Sequence, residues 1–256
     1  MDKRVRRVGR RVLTVYKENQ HEVSKVENRS DVRCTKGCNH CCSRVVLATL
    51  PEGLNIAERL MTEPDFRGRL PAMMRALYAQ VRFLETNPAD ASVNCAFLKE
   101  NDGTCAIYKY RPAMCRYLFV TSDPDNCKPD STDPVSMIDM RDLDQRVWSE
   151  GDRVSKQVGV PFRLIAPLPV VILWGMKILQ EGVQGFIESL PTLGSGLQPH
   201  YWRNRLVAVR DGGEEDTIER PEGEDDKEVF EKMIREEMEK EADGNPSQQT
   251  SPSEEP

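Results

Sequence analysis

The sequence predicts an α+β fold: a small, mostly helical cysteine-cluster module with a short β-hairpin, then a helical C-terminal extension and a disordered acidic tail. Three observations support this prediction. All eight cysteines lie between positions 34 and 127. Apolar residues recur at three- and four-residue spacing on both sides of them, as on buried helix faces. Residues 211–256 carry 18 acidic and 5 basic side chains and offer little to bury.

These observations divide the 256 residues into four segments. We assign 1–29 to a basic N-terminal segment and helix, 30–130 to the cysteine module, 131–210 to the helical extension and 211–256 to the largely disordered acidic tail. The tail has a net charge of −13, against +7 for the rest of the chain. A protein partner is therefore expected to bind, if anywhere, through the tail.

The N-terminal helix is predicted from an apolar face that includes Leu13, Tyr16 and Val23. Its start is rich in arginine: Arg4, Arg6, Arg7, Arg10 and Arg11. We interpret this start as a frayed, solvated end, because no stacking aromatic residues or basic repeats accompany it. Nucleic acid is not an expected partner.

Within the module, the segment 43–50, SRVVLATL, predicts a short extended stretch rich in β-branched residues. Thr49 is placed to cap a helix that has Pro51 and Glu52 in its first turn. A longer helix follows, with an apolar face that runs from Phe66 to Leu84.

A β-hairpin is predicted next, around the turn Asn101-Asp102-Gly103. It brings Cys95 and Cys105 near each other on paired strands. Pro112 then starts a short helix that carries Cys115, since proline favours the first helical position.

The extension contains two predicted helices, over residues 134–160 and 169–190. Its most apolar run, 164–179, contains two prolines and Lys177 and falls short of the ~20 apolar residues of a membrane span, so no span is expected. The N-terminus does not resemble a secretory signal. The expected location is the cytoplasm, where thiols stay reduced and structural disulfides are rare.

The stretch CTKGCNHCC holds half of the cysteines within nine positions: Cys34, Cys38, Cys41 and Cys42. On a helix these four would share an arc of about 100°, and His40 would face away from them. Gly37 and Asn39 are poor helix formers, so a turn followed by a helix is the alternative. Either arrangement concentrates thiols on one side of the segment.

Clustered thiols at this density indicate a metal site, since thiolates bind soft metals and packing alone does not call for cysteine. The predicted ligands are all eight: Cys34, Cys38, Cys41, Cys42, Cys95, Cys105, Cys115 and Cys127. Both zinc and iron–sulfur centres accept four cysteines. The adjacent pair Cys41 and Cys42 fits a single zinc ion poorly, because neighbouring side chains diverge. Iron–sulfur cluster or zinc, and one centre or two, remain open.

Basic residues near the cysteines are candidates to offset the charge of a thiolate-bound centre. They are Arg33, Lys36, Arg44, Arg111 and Arg116. Arg111 and Arg116 are the best placed of these, since they flank Cys115.

The motifs C-x₃-C-x₂-C-C and CAFL…DGTCAIYKYRPAMCR resemble the YkgJ-type cysteine-cluster family, a zinc- or iron-chelating domain. The resemblance covers about residues 30–130 and implies that the matching cysteines bind the metal. Some members of the family resemble flagellin lysine N-methylases, which use S-adenosylmethionine. No glycine-rich nucleotide loop and no catalytic constellation stand out in this chain, so the catalytic residues are unknown.

Three functions are compatible with these features. The first is a metal-binding protein with an iron–sulfur cluster or zinc, for electron transfer or metal handling. The second is a cluster-dependent enzyme, such as a flagellin lysine N-methylase-like methyltransferase. The third is a zinc-stapled scaffold for interactions. The sequence favours the first.

Overall fold

A computed structural model describes residues 3–35, 37–67, 70–87, 92, 94–99, 101–160, 164–193 and 197. These residues form seven α-helices and one two-stranded antiparallel sheet. The predicted mostly helical α+β fold is confirmed. The predicted acidic tail, the end of the extension (198–210) and Lys36 lie outside the described residues. The four segment boundaries stay a prediction.

The helices follow one another along the chain as α1 (Lys3–Glu27), α2 (Leu50–Thr62), α3 (Pro64–Arg67), α4 (Leu70–Thr86), α5 (Ala113–Arg116), α6 (Arg141–Gln157) and α7 (Leu168–Ser189). Short 3₁₀ turns lie at His40–Ser43, Tyr108–Tyr110, Pro124–Cys127 and Leu190–Thr192. The strands are β1 (Leu47–Thr49) and β2 (Ile165–Pro167).

Helix α1 buries four valines at the spacing of one helix face, Val5, Val8, Val12 and Val15. Its basic start is folded, so the interpretation as a frayed end is wrong. Arg10 Nη2 lies 2.8 Å from Oε1 of Glu58, whose side chain is only 4% exposed. A buried carboxylate needs a charged or hydrogen-bonding partner, and the arginines of α1 provide it. Arg11 likewise lies 2.6 Å from Glu150 of α6.

The predicted cap of α2 is confirmed: Thr49 and Glu52 form a capping box, and Pro51 lies in the first turn. Phe66 lies in α3 and Leu70 begins α4, and both belong to the apolar face predicted for one longer helix. The helix predicted over residues 134–160 is shorter than expected. Residues 134–140 lie outside α6, and the Ile138 N–H donates to Phe119 O at 2.9 Å.

Strands β1 and β2 join the cysteine module to the extension, with Ala48 paired to Ala166. Each strand leads directly into a helix with proline near its start, α2 after β1 and α7 after β2. No pattern within either segment predicts this pairing. It places the beginnings of the two helices side by side.

Helices α2 and α7 form the centre of the main hydrophobic core, which also takes residues from α1, α4 and α6. Helix α7 is 22 residues long and apolar enough, by length and composition, to cross a membrane. However, 56% of its most apolar window is buried inside the protein. Such burial is typical of a core helix, and α7 packs against α2 accordingly.

Candidate metal centre

The first cysteine motif is a turn followed by one 3₁₀ turn. The prediction of a single helix over residues 34–42 is therefore wrong, and the alternative, a turn followed by a helical segment, is observed. Cys38 N–H donates to Thr35 O at 3.1 Å, and the 3₁₀ turn begins at His40. Gly37 has φ 94°, which no right-handed helix accommodates. The thiols are therefore brought together by loop geometry and not by helical periodicity.

Six of the eight cysteines line one cavity of about 320 Å³: Cys38, Cys41, Cys42, Cys95, Cys105 and Cys115. Cys34 and Cys127 do not line it. Much of the remaining wall is apolar and includes Val46, Ile107 and Leu168, the first residue of α7. The extension thus contributes to the site, and no motif or periodicity in the extension predicts this contact.

The predicted turn at residues 101–103 is observed, but the paired strands expected on its two sides are wrong: a single antiparallel bridge joins Leu98 to Cys105, and Cys95 lies outside it. Gly103 has φ 64°, and a Cβ at this position would lie 2.5 Å from Asn39 Nδ2. That amide donates to Gly103 O at 3.2 Å. Only glycine combines this backbone conformation with such a close neighbour. The turn is thereby held against the first cysteine motif.

Cys95 and Cys115 are positioned by backbone hydrogen bonds to more distant segments. The Cys95 N–H donates to Cys42 O at 2.8 Å. Cys115 lies on α5, whose first residue, Ala113, donates its N–H to Glu52 Oε1 at 2.7 Å. Each of these bonds ties one cysteine-bearing segment of the module to another part of the fold.

Glu52 connects three segments through one buried carboxylate, since it is only 2% exposed. Besides Ala113, its Oε1 accepts a hydrogen bond from Tyr16 Oη at 2.5 Å. Its Oε2 accepts from Thr49 N at 2.7 Å. The capping role of Glu52 is recognisable from the sequence, but no local signal shows that its carboxylate reaches α1 and α5.

Four thiols of the cavity, Cys41, Cys95, Cys105 and Cys115, have a raised pKa. Burial raises the pKa of Cys95 to about 11 and raises the pKa of Cys105 and Cys115 as well. A hydrogen bond with Cys42 is the largest cause of the raised pKa of Cys41. The two adjacent thiols contact each other, so the expectation that they diverge is wrong: both are directed into the same cavity.

Arg111 is the only charged residue that lines the cavity among the described residues. Its guanidinium lies 4.1 Å from the centre of the Tyr108 ring, and its buried Nε has no hydrogen-bond partner. Arg116 points away from the cavity. Its Nε donates a hydrogen bond to Arg111 O at 2.8 Å, and its guanidinium carbon lies 4.4 Å from the centre of the Tyr16 ring. Of the two arginines that flank Cys115, Arg111 therefore faces the thiols.

His40 does not line the cavity, and its Nε2 lies 3.5 Å from Asp125 Oδ1. This agrees with the expectation that His40 faces away from the thiols. The described residues that line the cavity therefore offer six thiols and no imidazole.

The donor chemistry fits a soft metal: six thiols and one cation surround the cavity, with no carboxylate among its described lining residues. All eight cysteines are free thiols. Among the described residues, however, no three Cys, His, Asp or Glu side chains already converge on the geometry of a bound ion. Binding therefore requires the loss of protons and a small rearrangement of the thiols.

No curated protein and no solved structure matches the chain significantly. A family model matches residues 33–132 and supports metal binding through the cysteines. The family is named for the spacing CxxCxxCC, whereas this chain has three residues between Cys34 and Cys38. The family whose model matches is CxxCxxCC, described as "Putative zinc- or iron-chelating domain".

Proposed function

We propose that the protein binds iron as an iron–sulfur cluster through its clustered cysteines and serves in electron transfer or metal handling in the cytoplasm. The observation that carries this proposal is the cavity of about 320 Å³ lined by six cysteines. A structural zinc ion holds four sulfur atoms at ~2.3 Å from one point. A cluster spaces its thiolates more widely, because iron and sulfide ions lie between them, and six thiols distributed around one cavity suit this arrangement.

The residues around the thiols also suit a cluster. Val46, Ile107 and Leu168 keep part of the wall apolar, which limits the access of water. Arg111 places a positive charge where thiolates and a cluster would bring negative charge. When bound, an iron–sulfur cluster supplies one-electron chemistry, and these residues hold it, shield it and offset its charge.

The test is metal analysis of the full chain purified without oxygen. We expect iron and acid-labile sulfide in comparable amounts and a brown colour with broad visible absorption. A colourless protein with stoichiometric zinc would overturn the cluster and favour the zinc-stapled scaffold. A protein with neither metal would overturn metal binding itself.

Cysteine variants connect the metal to the proposed ligands. Cys38→Ser and Cys41→Ser are each expected to lower both metal content and thermal stability, because metal binding couples to folding. Tyr78→Ser is the control, since Tyr78 is 45% exposed on α4. Unchanged metal content in both cysteine variants would contradict the assignment of these ligands.

A further inference from the structure

We propose that the acidic segment 211–226 of the chain docks on a basic stripe of its own helix α1 and shields that stripe from other polyanions. The basic stripe consists of four residues that face solvent along α1: Lys3, Arg7, Arg10 and Lys17. The inference concerns the charges of the chain and does not depend on the proposed metal.

The basic stripe is a consequence of helical periodicity. At 100° per residue, positions 3, 7, 10 and 17 lie within an arc of about 80°. The opposite side of α1 carries the valines that enter the core, so the basic side chains extend into solvent. From Lys3 to Lys17 the helix holds seven basic residues and no acidic residue. The stripe therefore displays charge of one sign over about 21 Å of helix.

Carboxylates of other helices neutralise only part of this charge. Glu58 binds Arg10, which nevertheless keeps 55% of its side chain exposed. In the described part of the chain, the side chains of Lys3, Arg7 and Lys17 take part in no ion pair. Lys3 and Arg7 are four positions apart, where like charges destabilise a helix. An acidic ligand on the stripe would relieve this repulsion.

The segment 211–226 complements the basic stripe in charge. It contains nine acidic residues and one basic residue, a net charge of −8, whereas residues 1–210 have a net charge of +7. A single exposed ion pair contributes little to binding. A polyanion that meets several cations of one stripe gains from each of them, and sixteen residues are long enough to follow about 21 Å of helix.

The segment is attached near enough to reach α1. The carbonyl of Leu197, the last residue that the structure describes, accepts a hydrogen bond from Trp174 Nε1 at 2.8 Å. Trp174 lies in the same core as Val5 and Val8 of α1. The intervening residues 198–210 span up to about 45 Å when extended. A compact domain of about 200 residues has a radius of gyration of only about 16 Å.

Other polyanions suit the basic stripe less well. The one aromatic residue of this part of α1, Tyr16, is buried, so the stripe offers no ring on which single-stranded nucleic acid could stack. The apolar side of α1 is also buried and cannot insert into a lipid surface. A tethered segment, in contrast, acts at an effective concentration on the order of millimolar. These facts favour the segment of the same chain.

Zero-length cross-linking of the full chain tests the docking. A carbodiimide joins a lysine ammonium to a carboxylate that touches it, and peptide mass spectrometry maps the links. An equal mixture of ¹⁵N-labelled and unlabelled protein separates links within one chain from links between copies. At low ionic strength we expect Lys3 and Lys17 to link to residues 211–226 of the same chain more often than Lys109, an exposed lysine outside α1. These links should disappear in 1 M NaCl, where the Debye length is about 3 Å.

A charge reversal within the basic stripe gives the matched test. Arg7→Glu places a negative charge between Lys3 and Lys17. We expect it to reduce the links from both lysines by about two- to five-fold, the effect of one exposed ion pair. Arg75→Glu is the control, since it reverses an exposed arginine on α4, and it should leave these links unchanged. Far-UV circular dichroism reports whether each variant retains its helices.

Several results would overturn the docking. They are equal linking of Lys109 and the stripe lysines, links that persist in 1 M NaCl, and an equal loss of links in folded Arg7→Glu and Arg75→Glu. Links that form mainly between copies would assign the basic stripe to a second copy of the chain. Binding of single-stranded DNA or of phosphatidylserine vesicles, without links from Lys3 or Lys17 to the segment, would assign it to an external polyanion. If Arg7→Glu does not fold, the salt dependence and the comparison with Lys109 decide.

Discussion

The carboxylate of Glu52 accepts a hydrogen bond at 2.7 Å from the backbone N–H of Ala113, across 61 positions of sequence. Ala113 is the first residue of α5, the short helix that carries Cys115. A helix of four residues has little stability of its own. The position of Cys115 therefore depends on a buried side chain that does not line the cavity.

We expect Glu52→Gln to lower the free energy of unfolding by about 1–3 kcal/mol, because it weakens buried hydrogen bonds to a charged acceptor. It should also lower metal content in the protein that remains folded. Urea unfolding and metal analysis measure the two effects. Thr49→Val is the control, since it removes one hydroxyl bond to the same carboxylate, at 2.9 Å, and leaves the Ala113 bond in place. Equal metal loss in both variants would contradict the positioning role of Glu52.

The close contact between α2 and α7 can be tested by adding one methyl group at Gly53. A Cβ at Gly53 would lie 2.2 Å from the backbone oxygen of Val171, so the two helices would have to separate. We expect Gly53→Ala to destabilise the protein by about 2–3 kcal/mol, as overpacked cores do. Thermal or urea unfolding measures this change.

Gly151→Ala is the matched comparison for Gly53. Its nearest neighbour would be a side-chain atom, Thr49 Cβ at 3.2 Å, and not backbone. The helix propensity of alanine works in its favour. A Gly53→Ala protein as stable as Gly151→Ala would show that α2 and α7 are less closely packed than described.

Asp144 makes stability depend on pH. Burial, together with the negative charge of Glu52, raises the pKa of this carboxyl group to about 6. Its Oδ1 is buried without a hydrogen-bond partner. The folded state therefore binds the Asp144 proton more tightly than the unfolded state, whose pKa is about 3.9. Stability falls as the pH rises from about 4 to about 6 and is then constant for this group.

Asp144→Asn should remove this pH-dependent loss of folding stability. We expect the variant to be more stable than the unsubstituted protein by about 1–2 kcal/mol at pH 7, a value that is reduced because the carboxyl group is partly exposed to solvent. Urea unfolding at several pH values between 4 and 7, with the metal content of the variants matched, measures the difference. Asp142→Asn is the control, since it removes a charge from the exposed side of the same helix turn. If the stability difference between Asp144→Asn and the unsubstituted protein does not change with pH, the raised pKa is contradicted.

Several features of the fold could be predicted from short stretches of sequence. The cap at Thr49, the turn at Gly103 and the short helix after Pro112 depend on residues within a few positions of one another, and all three are observed. The clustering of the cysteines in one module likewise places six of them around a single cavity. Such features are set by backbone preferences that a short sequence stretch contains.

The features that could not be predicted depend on contacts between residues far apart in sequence. The arginines of α1 are ordered by Glu58, and β1 pairs with a strand that begins at Ile165. No periodicity within either segment encodes its partner. The helix expected over residues 34–42 failed for a local reason, because Gly37 adopts a positive φ that breaks any helical phase.

The charge of Arg111 gives a prediction specific to an iron–sulfur centre. A positive charge beside the cluster favours the reduced, more negative state, so Arg111→Gln should lower the reduction potential. An interaction of roughly 1–2 kcal/mol in the partly buried site corresponds to ~40–90 mV for one electron. Arg111→Lys keeps the charge and should retain most of the potential, although it loses the planar group stacked 4.1 Å from the centre of the Tyr108 ring. Anaerobic redox titration followed by visible absorption compares the three proteins. Equal potentials in the Gln and Lys variants would show that Arg111 acts through packing and not through its charge.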